Sequence, residues 1–358
     1  MRMDRRQVLL GAGATALSFP KSAQAAQVFT DSGGRTVTLP DRIGRVFPAG
    51  APAAVVVYVL RPDAMVGWPR AIRAEEATYL LPQVRDLPEL GMLSGRGDTA
   101  NVEVVLQTKP DLIVDFGSVR PTYISLADAV QSRTGIPYVL IDGRFEATAS
   151  SLRTLGKIFG VPERGEELAR YTQDLFDRLD KTLAGLPENE RPQVYLARGP
   201  NGLETGVTGS INTEILERAG GRNVADAGGR RRGIVQVSPE QILVWNPDII
   251  VTWDRNFHAL IQAGTDPVWA SVKAVKEGRV YLAPTLPFGW IDRPPSVNRL
   301  IGLAWLANLF HGDRFPFDFR QETRKFYKLF YHVDLSEPEL DALLQSADGQ
   351  PSGAPSPR

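Results

Sequence analysis

Asn101-Val-Glu-Val-Val-Leu-Gln-Thr-Lys-Pro-Asp-Leu-Ile-Val-Asp-Phe116 and, 137 positions later, Ser238-Pro-Glu-Gln-Ile-Leu-Val-Trp-Asn-Pro-Asp-Ile-Ile-Val-Thr-Trp253 carry one pattern twice without a gap. Glu103 matches Glu240, Pro110-Asp111 matches Pro247-Asp248, and Phe116 matches Trp253. Each copy reads as a capped short helix, a Pro-Asp turn, an apolar strand and then an aromatic residue. A chain that repeats such a unit has two similar lobes, and a cleft between two α/β lobes is where small ligands bind.

Working outward, short apolar strands alternate with helical patterns on both sides of each copy. Strands are expected at 45–47, 64–67, 112–116 and 138–141, with helices at 51–60, 102–108 and 122–134. In the second half, strands are expected at 193–197, 249–253 and 280–283. Helices follow at 211–219, 239–244, 297–310, 321–331 and 337–344. Alternation of this kind implies mainly parallel sheets covered by helices. Gln27–Pro40, alternating around Ser32-Gly33-Gly34, reads as an entry hairpin. Between 145 and 186 no strand signal occurs. Leu168, Leu175, Leu179 and Leu183 keep a helical period there, and a helix over 163–186 would span about 36 Å. This is expected to be a rigid rod joining two Rossmann-like lobes. The resulting division is 26–145 for the first lobe, 146–186 for the linker with its long helix, 187–345 for the second lobe and 346–358 for a disordered tail.

The 358 residues carry 41 basic and 41 acidic side chains, so no basic field favours nucleic acid. With no cysteine in the chain, disulfides, thiolate metal sites and Cys nucleophiles are excluded. Arg5-Arg6, an apolar stretch from Val8 to Phe19 and Ala23-Gln24-Ala25 read as an export signal, twin-arginine-like, cleaved after Ala25. An ordinary secretory signal remains the alternative. With no Cys at the cleavage point, a lipid anchor is not expected. The mature chain then keeps 37 basic and 40 acidic residues, a net charge of −3.

Ligands of open α/β sheets sit beyond the carboxyl ends of the strands. The residues there repeat a theme of an aromatic or glycine followed by an arginine. The candidate ligand contacts are Trp68, Arg70, Arg96, Ser118, Arg144, Arg198, Trp253, Phe288, Trp290 and Arg293. Aromatic faces beside guanidinium forks suit a large, flat, anionic guest. Ser296, after Pro294-Pro295, is expected to cap the following buried helix. The histidines, His258, His311 and His332, lack zinc-ligand spacing, and no catalytic constellation is present. Glu103 and Glu240 sit in first helical turns, where a carboxylate complements the helix dipole. The same pair could serve as one docking knob per lobe for a two-fold partner.

These motifs resemble the periplasmic binding proteins of ABC importers for ferric siderophores and cobalamin. The resemblance rests on Asp31-Ser-Gly-Gly-Arg-Thr-Val37, on the duplicated unit, and on Asp266-Pro-Val-Trp-Ala-Ser-Val-Lys-Ala-Val-Lys-Glu-Gly-Arg-Val-Tyr281. It covers residues 27–345. It implies two Rossmann-like lobes joined by one long α-helix, limited hinge closure and no catalysis. It also implies a periplasmic location, a monomer, no cofactor, and docking of Glu103 and Glu240 onto an inner-membrane permease with its ATPase. The expected cargo is a ferric siderophore or related iron chelate. Molybdate or tungstate, cobalamin, and haem (ligated by Tyr123 or His258) are the alternatives. A bare zinc or manganese ion is disfavoured by the scarce histidines.

Overall fold

The computed structural model describes residues 27–95, 101–226, 233–315 and 318–348. Two separate parallel sheets form. The first has three strands, Val46–Pro48, Leu112–Gly117 and Tyr138–Asp142, with Leu112–Gly117 central. The second has four, in the order Val280–Leu282, Ile249–Thr252, Gln193–Ala197 and Arg222–Asn223. Strands at the centre are buried on both faces, as parallel sheets require. The hairpin of Gln27–Thr30 with Thr36–Leu39 forms as expected.

The duplication extends to backbone geometry. Val102–Thr108 is capped by Asn101, and Pro239–Trp245 by Ser238, each side chain accepting from the amide three residues on. Both helices end on a left-handed residue, Lys109 at φ 44° and Asn246 at φ 40°. Asp111 then accepts from the Gly44 and Arg45 amides at 2.8 and 2.9 Å, and Asp248 accepts from the Gln193 amide at 2.8 Å. Each Pro-Asp turn therefore pins the start of the neighbouring strand, which sets the register of its sheet.

Several expectations need correction. Residues 64–67 form no strand beyond a single bridge, Val46 to Met65. Pro62–Ala64 turns as a 3₁₀ segment, and Gly67 is pressed against the Pro88 carbonyl, so the run cannot continue along the sheet. The expected long linker helix forms as Pro162–Leu183, and a second helix, Thr148–Ile158, runs before it and packs against it. They meet at Gly156 and Gly165, where a Cβ on Gly156 would lie 2.8 Å from the Gly165 Cα. Arg255–Ala263 is a further helix, absent from the expected elements, started by Asp254 accepting from the Asn256 and Phe257 amides. The last helix runs Glu337–Asp348, reaching into the segment expected to be disordered. Ser296 caps nothing: its hydroxyl donates to the Pro52 carbonyl at 2.8 Å, and the helix Arg299–His311 starts after Asn298. That helix is buried from Arg299 through Ala307 and packs against the long linker helix Pro162–Leu183 and against Glu214–Arg218.

One buried cation fastens the two halves. Arg299 donates to the Gly143 carbonyl (2.8 Å), to the Ile211 carbonyl (2.6 Å) and to Glu214 (2.8 Å). Glu214 also accepts from the Phe145 amide at 3.1 Å, and the guanidinium lies 4.3 Å from the Phe145 ring centroid. Gly143 and Phe145 leave the first sheet, while Glu214 and Arg299 belong to the second half. Burial pushes the Glu214 carboxyl up and the Arg299 guanidinium down from their ordinary ranges, which marks how little water reaches them.

Two outcomes follow from this packing. Gly156→Ala should cost about 1–3 kcal/mol in urea unfolding, because the helices must separate to admit one methyl. Arg299→Met should cost about 3–5 kcal/mol by stranding the Glu214 carboxylate. Adding Glu214→Leu to Arg299→Met should recover much of that loss in the same assay.

Candidate functional site

The expected contacts separate into three groups. Trp68, Phe288 and Trp290 are buried in the core, a correction to their assignment as cleft walls. Trp68 donates its indole N–H to the Val84 carbonyl at 2.7 Å and packs against Tyr58 and Phe288. Trp290 donates to the Tyr327 hydroxyl at 3.3 Å and packs edge-on against Phe319. Phe288 fills the space between Tyr58 and Tyr331. Large aromatic rings near strand ends were better used to close the interior than to face solvent.

A second group has local partners. Arg70 is half exposed and pairs with the buried Glu76 at 2.9 Å. Burial alone would push the Glu76 carboxyl up, but Arg70 and Arg73 hold it below its ordinary value. Arg144 is exposed and forms a fork with Asp142 at 2.6 Å. Ser118 accepts from Arg120 at 3.1 Å. Arg96 lies outside the described residues.

The third group is assembled. Strand Gln193–Ala197 delivers Arg198, strand Ile249–Thr252 delivers Trp253, and the loop after Val280–Leu282 delivers Asp292 and Arg293. Arg198 and Arg293 lie over the Trp253 indole, 5.2 and 4.5 Å from its ring centroid. The buried Asp292 accepts the Trp253 indole N–H at 2.8 Å, accepts from Asn212 at 3.3 Å and forms an ion pair with Arg198. Arg293 is exposed and has no carboxylate partner among the described residues. Asp292 and Asn212 were not singled out in the sequence. The available signal was a carboxylate placed between Trp290-Ile291 and Arg293, where an apolar loop has no use for a charge unless it is paired.

Facing strand ends in the first half are bare by comparison. Helix Ala51–Leu60 begins at Gly50, whose extended backbone offers no side-chain cap, and its first turn carries no acid. Such a terminus favours negative charge. Gly50 is backed by Ser94, whose amide donates to the Ala49 carbonyl at 3.0 Å. Ser94 in turn donates its hydroxyl to Asp115 at 2.9 Å, and Tyr138 donates to the other Asp115 oxygen at 3.1 Å. The contacts from Arg299 to Gly143 and from Ser296 to Pro52 hold the two sets of strand ends together.

A groove of about 910 Å³ runs elsewhere, beside Glu163, Arg164, Tyr171, Lys325 and Lys328. None of its lining residues ends a strand, and its alternating charges suit solvent better than one ligand. His258 and His332 are half-buried and burial lowers their pKa; His311 is also lowered and contacts the Ala219 carbonyl at 2.9 Å. No group of three or more His, Asp or Glu side chains among the described residues could hold a metal ion, and no described helix is long and apolar enough to cross a membrane.

Burial pushes the Asp115 carboxyl above its ordinary value of 3.8, since its two donors are neutral hydroxyls. A raised carboxyl pKa means the folded state holds the proton more tightly than the unfolded chain. That contribution is complete below the unfolded value and is lost as pH rises through the folded one. Asp115→Asn should therefore gain stability relative to the parent as pH increases across this interval. Thermal unfolding across a pH series checks the sign, and a constant difference between the two proteins would contradict it.

The family model for periplasmic binding proteins matches residues 52–286. The molybdate-binding protein MolA of Haemophilus influenzae is 27% identical, over 92% of this chain and 97% of that protein. A cobalamin-binding protein of Halobacterium salinarum is 29% identical, over 78% of this chain and 73% of that one. Among solved structures, an ABC transporter solute-binding protein from Sulfurospirillum deleyianum superposes with a TM-score of 0.81 at 30% identity, covering 89% of this chain and 99% of that chain.

Proposed function

Because the chain belongs to the periplasmic binding protein family, a group of transport receptors and not of enzymes, we propose that it captures a compact oxyanion of the molybdate and tungstate class for an ABC importer. The observation that carries this reading is the pair Arg198 and Arg293 bracketing Trp253 over a buried Asp292. Asp292 fixes Arg198 and the indole in place, so the ordering cost is met before the ligand arrives. Arg293 keeps its donors for an incoming anion. Across the cleft, the uncapped start of helix Ala51–Leu60 supplies amides of matching polarity.

A ferric siderophore, the larger cargo, would need a broad aromatic platform. Trp68, Phe288 and Trp290 are committed to the core, which weighs against that guest. The full-length match to a protein named for molybdate binding supports the smaller one. In this reading residues 1–25 form the export leader, and the cargo is released to a membrane permease with its ATPase. Glu103 and Glu240, exposed on the two repeated helices, are the docking carboxylates.

The test is a calorimetric and Trp-fluorescence titration of the mature protein with molybdate, tungstate, sulfate, a ferric siderophore, cobalamin and haem. Molybdate and tungstate should saturate the protein, and Arg293→Ala should weaken them at least tenfold. Saturation by the siderophore, cobalamin or haem with no response to either oxyanion would replace this reading.

A further inference from the structure

Among the described residues, the large apolar side chains that stand exposed are Val28, Leu106, Leu243 and Val244. All but Val28 lie on the duplicated helices Val102–Thr108 and Pro239–Trp245. Leu106 and Leu243 occupy the same position of the repeat, 137 residues apart, and are 46% and 42% exposed. Each follows its glutamate by three residues, so Glu103 shares a helical face with Leu106, and Glu240 with Leu243. Val105 and Ile242 are fully buried and fix the inward face of each helix, leaving the Glu–Leu face toward solvent. A lone exposed leucine is ordinary on any protein. The same leucine left uncovered at the same place in both halves, beside an exposed carboxylate, is a paired feature that solubility alone would replace with polar residues.

We propose that Leu106, and Leu243 with Val244, are the apolar halves of two docking feet. Their partner is a homodimeric permease that presents, in each subunit, an apolar hollow next to a cation. This rests on the reading of Glu103 and Glu240 as docking carboxylates. Two repeated feet, one on each lobe, call for two like sites. A bilayer surface offers no such pairing, and its anionic headgroups repel the carboxylates. A second copy of this chain would set glutamate against glutamate. The feet are unequal: Val244 is 77% exposed, and Gln107 stands in its place on the first helix. The second foot therefore carries more of the apolar contact.

Binding of the full mature protein to its cognate permease–ATPase complex in lipid nanodiscs tests this, with thermal unfolding as the control for folding. The double variant Leu106→Gln with Leu243→Gln should weaken complex formation at least tenfold, and Leu243→Gln alone should weaken it more than Leu106→Gln alone. Reversal of both glutamates, Glu103→Arg with Glu240→Arg, should abolish the complex and uptake with it. Parental binding by the leucine variant, with loss in the glutamate variant, would overturn the apolar feet and leave the docking carboxylates standing. Parental binding by both variants would remove the docking reading itself. Self-association of the parent that disappears in the leucine variant, with permease binding intact, would assign this face to a dimer of the chain and overturn the proposal.

Discussion

Arg299 is the constraint on which the rest of the molecule depends. Its guanidinium is sealed from water, and three of its partners lie where the two halves meet: Gly143, Ile211 and Glu214. A buried ion pair is a poor source of net stability, because desolvation offsets most of the attraction. What such a pair supplies is geometry. Glu214 answers Arg299 on one side and the Phe145 amide on the other, so the exit from the first sheet has one permitted position relative to the second. The strand ends that form the cleft inherit that position.

The site shows the same economy. Asp292 looks misplaced if the guest is an anion, since a carboxylate repels it. Its role is structural: one oxygen takes the indole N–H and the other takes Asn212 and Arg198. Trp253 then serves as a surface over which both guanidinium groups lie, their central carbons within 5.2 Å of the ring centroid. Cation–π contact of this kind contributes about 0.5–1 kcal/mol at an exposed site. That is enough to bias a rotamer.

Much of the fold was legible because periodicity and capping are local. The helices 51–60 and 102–108 and the strand 193–197 begin and end where their residues say, and the repeat announced two sheets. Helix Arg255–Ala263 was also written in the chain, by Asp254 and Gly264, but a loop rich in aromatic and charged residues masked it. The long linker helix was legible from its leucine period, but its pairing with Thr148–Ile158 was not, because contact between two helices leaves no one-dimensional signal. In three dimensions Gly156 and Gly165 let two helices touch. The site was half legible. A sequence shows which residues end strands but not which side of the loop faces inward. Trp290 and Arg293, three residues apart, therefore looked equivalent, yet one is core and the other exposed.

That glycine contact has a mechanical consequence. A solitary helix flexes along its length, whereas two helices in backbone contact behave as a beam with depth and resist bending. Deformation is then concentrated at the ends of the brace, close to Gly143 and Gly185, as slight twist. Empty and loaded receptors would present almost the same outline to whatever they land on. Occupancy would have to be sensed through the stiffness of the landed particle, or through the cargo itself, and not through a change of silhouette.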